Sequence, residues 1–333
     1  MALAAESLET TPRVEARGVG LRAVLVAIGF LVAALVAGLA VGPAGLGFDV
    51  GHTVLWDLRA PEVALAAVVG GMLAIAGASY QGVFRNPLCD PYLLGVAGGA
   101  GLGATLAIVY ATTAGTWAVP LAAFAGAIGA VIVTYALGRS VGAAYMTGAL
   151  VLAGVTMATF TAAVQTFIQQ RHPDQLQNIY SWLLGGFNGA TWHDVAICAP
   201  YIAVSSVVLV LHRRVLDVLS VGDDEAASLG IDVARARLTI VVAATLGTAA
   251  AVSVSGLIAF VGIIVPHTIR LLVSTSYRAV IPLSLVAGAG FLVLADVLAR
   301  TVISPGVEPI GVITAFLGAP FFAVVLRTSR SMR

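Results

Sequence analysis

Apolar residues come in runs of about twenty along this chain, separated by short polar breaks that carry nearly all of the charge. A helix rises about 1.5 Å per residue, so a run of that length matches the hydrocarbon core of a bilayer. The runs lie near 22–42, 61–82, 92–112, 117–138, 146–169, 193–211, 236–254, 255–273, 280–300 and 309–327. They predict an all-α, polytopic membrane protein of about ten transmembrane helices, the seventh and eighth joined almost without a loop. The longest polar interruption after the N-terminal tail is Asp217–Arg237, within a loop of about 213–237. Here Gly222, Asp223, Asp224 and Glu225 offer an N-cap and an acidic first turn, and Gly230 stands where a helix C′ glycine belongs. Two short helices on the membrane surface, roughly 215–220 and 224–229, are the simplest reading, with a plain solvated loop as the alternative. A second large connection, 170–193, has room for a short surface helix over 176–184.

Composition supports the class. The chain is 59% hydrophobic and 10% charged, with a mean hydropathy of +1.01, far from the roughly 25% charged residues of a soluble domain. Its net charge of +1 gives no indication of nucleic acid. All 17 basic residues are arginine, and the absence of lysine excludes a Walker A motif, a Schiff base and a Ser-Lys dyad. Cys89 and Cys198 fall in segments at different depths, so no structural disulfide is expected. Residues 1–20 read as a cytoplasmic tail and 21–333 as one transmembrane domain, the run 22–42 being too long for a cleaved signal core. With both termini cytoplasmic, Arg13, 17, 22, 85, 139, 213, 214, 235, 237, 270, 278, 327, 330 and 333 lie inside, and Arg59, Arg171 and Arg300 outside. That asymmetry follows the positive-inside rule, and Trp56, Trp117, Trp182 and Trp192 then mark the outer interface.

Candidate chemistry is sparse. The histidines at 52, 172, 193, 212 and 267 form no i,i+4 pair, so no metal site is expected. Gly99, Gly101 and Gly103 mimic a dinucleotide fingerprint but lie inside an apolar run, where close helix packing explains them. Ser255 and His267 lack a further partner for serine-protease chemistry. Glu62 and Asp296 are the carboxylates within spans, both toward the outer ends, and Asp296 is placed to pair with Arg300 one turn on. No helix centre holds a proton relay, which implies a pathway driven by a separate motor and no enzymatic activity or cofactor in this chain. A secondary transporter or channel of unrelated fold is the alternative.

The motifs carry a resemblance over about 55–330. They are Arg59 and Pro61; Gln81, Phe84, Asn86 and Pro87; Asp90 through Val96; Leu152 through Val155; and Trp182 through Gly185. Further on come Ala226, Leu229 and Gly230; Gly256, Phe260 and Gly262; Pro266 and His267; Asp296 and Arg300; Pro309, Gly311 and Gly318. In this order they resemble the FecCD-like permeases of ABC importers for vitamin B12, haem and iron-siderophores.

The resemblance implies a homodimer in the inner (plasma) membrane, with two cytoplasmic ATPase subunits and a substrate-binding protein docked outside. It implies coupling to the ATPase through Gly222, Asp223, Asp224, Glu225, Ala226, Leu229 and Gly230. It implies a cytoplasmic gate at Met146 and Thr147 before a pathway-lining fifth helix. Arg59 and Arg300 would dock the binding protein, with Glu62 replacing an arginine of the family pattern. Which chelate is carried is not encoded legibly; the stretch from Pro266 leans slightly toward haem and vitamin B12 members.

Overall fold

The computed structural model describes residues 20–42, 45–47, 51–140, 146–303 and 306–330. Its helices are α1 (Leu21–Ala40), α2 (Ala60–Val83), α3 (Val96–Tyr110), α4 (Ala118–Arg139), α5 (Met146–Arg171), α6 (Leu176–Leu183) and α7 (Trp192–Leu211). Then follow α8 (Arg213–Leu219), α9 (Asp223–Ser228), α10 (Val233–Ser255), α11 (Val261–Leu272), α12 (Tyr277–Thr301) and α13 (Ile310–Arg330). Among the described residues, seven helices are long and apolar enough to cross a bilayer, and three more are shorter and apolar. Each of the ten apolar runs of the sequence falls on one of them. The predicted tail at 1–20 lies, but for Gly20, outside the described residues.

Glycine decides which helices sit at the centre. Lipid is as apolar as leucine, so helices associate by close packing, and small residues permit it. On α2 a Cβ at Gly70 would strike the Gly288 carbonyl of α12, and one at Gly77 would strike the Gly262 carbonyl of α11. The central helix α2 is therefore enclosed almost all round, while α1, α4, α5 and α7 form the periphery. Gly99 and Gly103 of α3 meet the backbone of α4 in the same way, at Gly126 and Ala122. The nucleotide-motif mimic is thus a packing face.

The eighth predicted helix departs from expectation. α10 ends at Ser255, and the chain continues as non-helical backbone over 256–260 before α11 begins. Gly256 has φ +67° and ψ −162°, a region open essentially to glycine alone, and a Cβ there would collide with the Trp182 carbonyl. Phe260, at φ +70°, turns the chain back into helix. Val261 starts beside the half of α2 that holds Gly77 and Gln81, because the Gln81 side-chain amide donates to the Gly262 carbonyl at 3.0 Å. An apolar run alone does not distinguish helix from buried extended chain. The Tyr92 hydroxyl satisfies the peptide groups of the buried Ile258. It donates to the Ile258 carbonyl at 3.0 Å and accepts from the Ile258 N–H at 2.9 Å.

Candidate coupling site and the charge cluster at the opposite end

α8 and α9 lie at one end of the bundle and match the two short helices expected there. Gly222 is the extended N-cap residue of α9. Its far end closes with two C-terminal bonds, Gly230 N–H to Ala227 carbonyl at 2.9 Å and Ile231 N–H to Ala226 carbonyl at 3.1 Å. Gly230 takes φ +78°, so this is a Schellman cap. Leu216, Leu219 and Ala226 are buried beneath the pair. Gly222 and Ala226 are therefore foundations of the loop and not part of its outer surface. Asp224, Glu225, Ala227, Leu229 and Gly230 face outward, and the apolar tips Val221 and Leu229 are 70% and 69% exposed.

Two carboxylates fasten these helices to the bundle. Asp223 accepts two 3.0 Å bonds from one guanidinium nitrogen of Arg237 on α10, and Arg85 approaches it at 3.7 Å from the end of α2. Arg85 occupies the C′ position of α2 at φ +50°, where glycine is usual, so the chain accepts strain to keep that side chain. Asp217 of α8 caps the start of α12. It accepts from the Tyr277 N–H at 2.5 Å and the Ser276 hydroxyl at 2.9 Å, with Arg278 at 3.4 Å. A carboxylate is favoured there by the unpaired N–H groups and the helix dipole. Arg270, expected to lie at the membrane interface, turns inward and donates to Gln81 at 2.6 Å, with Tyr277 beneath it at 5.4 Å. α2, α10, α11 and α12 are thus linked to one another and to the short helices. The sequence signals for this were an acid inside the otherwise apolar Val215–Leu219 and serines before Tyr277, and neither marks its partner.

At the opposite end the arginines expected to dock a partner are turned inward. Arg59 is 3% and Arg300 1% exposed. The Arg59 guanidinium donates to the carbonyls of Leu39, Ala40 and Gly47 at 2.9, 3.2 and 3.0 Å. Arg300 lies 2.7 Å from Asp296 and 3.6 Å from Glu62, and the Glu62 carboxylate accepts from the Gly189 N–H at 3.3 Å. The inward turn has a clear cause: α1, α2 and α12 converge here, and charges at converging ends of apolar helices must find protein partners. The expected Asp296–Arg300 pair is present. Trp192 packs tilted at 43° against Trp56, ring centres 5.4 Å apart, and donates to its carbonyl at 3.0 Å, so two of the expected interfacial tryptophans share this end.

Met146 and Thr147 open α5; residues 141–145 before them, and both of these side chains, lie outside what is described. α5 exposes Thr156, Thr159, Ala162, Ala163 and Thr166 on one face, together with Leu152 and Val155. Each of these three threonine hydroxyls donates to the carbonyl four residues back at 2.9 Å. Ser255 and His267 engage separate neighbours: the serine hydroxyl bonds the Ala251 carbonyl, and the imidazole meets the Phe321 ring edge-on. Among the described residues no group of three or more His, Cys, Asp or Glu gathers as a metal site.

The likeness to known proteins agrees with this plan. A cobalamin import permease of Halobacterium salinarum is 41% identical over 279 residues, covering 84% of this chain and 74% of the relative. A hemin transport permease of Yersinia pestis is 34% identical over 328 residues, covering 92% and 96%. A solved structure described as a metal-chelate type ABC transporter, inward-facing, superposes with a TM-score of 0.83 at 28% identity, over 92% of this chain and 98% of that one. The profile of the FecCD transport family matches residues 18–328, and the chain belongs to that family of membrane permeases.

Proposed function

We propose that this chain is the membrane-spanning subunit of an ATP-driven importer for a metal chelate, acting as a homodimer. Two ATPase subunits bind at the α8–α9 end, which faces the cytoplasm, and a substrate-binding protein docks at the other end. The relatives named for cobalamin and hemin support the chelate class without choosing within it. One observation carries the reading: two short helices expose apolar tips to solvent while Asp217 and Asp223 lock their bases to α12 and α10. Such an arrangement transmits a rigid-body push from a partner to spanning helices. The threonine face of α5 suits a pathway, since hydroxyls already bonded to their own helix grip a bulky cargo weakly. The gate is assigned to Met146 and Thr147, at the α8–α9 end of that helix.

The test is co-purification of the partner ATPase with Val221→Asp and Leu229→Asp. Each is expected to weaken the complex by about 2 kcal/mol, roughly thirtyfold, if these tips are anchors of the contact. Insertion into the membrane should be unchanged. Full retention of the ATPase by the double variant would remove the coupling assignment.

A further inference from the structure

An elongated groove runs between α4 and α7 near the end that carries Trp117, with α10 as its floor. Its volume is about 260 Å³, and Leu121, Phe124, Ile197 and Tyr201 form its walls. The Phe124 and Tyr201 rings, 5.7 Å apart, close it toward the middle of the bundle. Trp117 and His193 stand at its mouth. We propose that this groove is a lipid site, holding one acyl chain of a glycerophospholipid whose headgroup sits at Trp117 and His193.

Three observations lead there. Both walls continue into strips that the bundle leaves uncovered. Ile132, three turns beyond Leu121 on the same side of α4, is 63% exposed, and Val204 and Leu211 are 60% and 71% exposed along α7. In a membrane permease such strips meet lipid, so the groove opens onto the acyl-chain region. The floor suits hydrocarbon and not water: Ala250 and Val254 are apolar, and the Ser253 hydroxyl is already bonded to the Ala250 carbonyl at 2.9 Å. A buried water needs two or more polar partners, which this floor does not supply, and an empty groove forfeits dispersion contacts. Size excludes a protein helix, whose diameter with side chains is about 10–12 Å, whereas a single acyl chain is slender enough. At the mouth, Trp117 is 58% exposed, and its indole N–H together with the exposed His193 imidazole supplies donors for a phosphodiester; the Asp194 carboxylate, which accepts from the Thr191 N–H and hydroxyl, also lines the groove there and suits the ammonium of an ethanolamine headgroup.

The test uses the full chain in vesicles of phosphatidylethanolamine and phosphatidylglycerol, with increasing amounts of phosphatidylethanolamine brominated along one acyl chain. Emission of Trp117 is taken as the difference between each protein and its Trp117→Phe counterpart. A held chain gives quenching that rises more steeply than the bulk share of brominated lipid and then saturates. Ser253→Leu, filling the floor, and Ile197→Phe, filling the wall, should return the curve to the bulk share. Should Ser253→Leu fail to fold, Ile197→Phe decides, since Ile197 is 42% exposed and demands no core space. Wild-type quenching that follows the bulk share, or saturation that survives the fillings, overturns the proposal. Absence of quenching would show the groove covered by protein and overturn it equally.

Discussion

Replacing Arg300 by leucine should cost about 3–5 kcal/mol, because it leaves the buried Asp296 and Glu62 carboxyls side by side without their cation. Thermal unfolding of the purified protein checks this, and the double change Arg300→Leu with Asp296→Leu should recover most of the loss. Recovery separates a buried brace from a docking charge, since docking would not be rescued by removing Asp296. Gly230→Val tests a different residue-scale demand. Space around Gly230 is open, so its φ of +78° alone sets the cost, about 1–2 kcal/mol. Transport per ATP should fall while insertion persists; unchanged uptake per ATP would clear Gly230 of any coupling role. The Schellman glycine was legible in the sequence because backbone chemistry is local. The inward turn of Arg59 and Arg300 was not, because it depends on carbonyls and carboxylates from helices distant in sequence.

Between α2 and α3, the non-helical stretch Phe84–Gly95 props the segment that precedes α11. Burial pushes the Asp90 carboxyl up to about 6, while the Tyr92 N–H bond pulls the other way. The folded chain thus binds this proton more tightly than the unfolded chain. The resulting stability is complete below the ordinary carboxylate range and is lost as pH rises through about 6, on the order of 2–3 kcal/mol. Asp90→Asn, which keeps an oxygen acceptor for Tyr92, should flatten that slope in unfolding measured from pH 4 to pH 8. Tyr92→Phe strips both partners from Ile258 and should cost about 1–3 kcal/mol without altering the slope. Apolar periodicity located all ten runs, including α11, yet it could not see that 256–260 is not helical. That distinction rests on Gly256, a residue equally at home in a tightly packed helix.

For the molecule as a whole, the proposed orientation is tested by single cysteines at Ser220 and Asp174 in a background lacking Cys89 and Cys198. They should react with an impermeant reagent from opposite sides of the membrane, and labelling of both from outside would refute the arrangement. The expected orientation rests on fourteen arginines that fall on one side of the membrane, an electrostatic signal that needs no tertiary contacts. The short helix α11 bears on biosynthesis. Its 12 residues extend about 18 Å, well under the ~30 Å of a hydrocarbon core. Emerging from a ribosome alone, it would make a poor stop-transfer signal, and the unpaired peptide groups before it would oppose partitioning into lipid. The nascent chain should therefore hold this segment at the insertion machinery until α12 follows. With a single cysteine placed at Ile264 in the background lacking Cys89 and Cys198, a chain truncated after Leu272 should leave α11 accessible to aqueous thiol reagents, and extension through Thr301 should protect it.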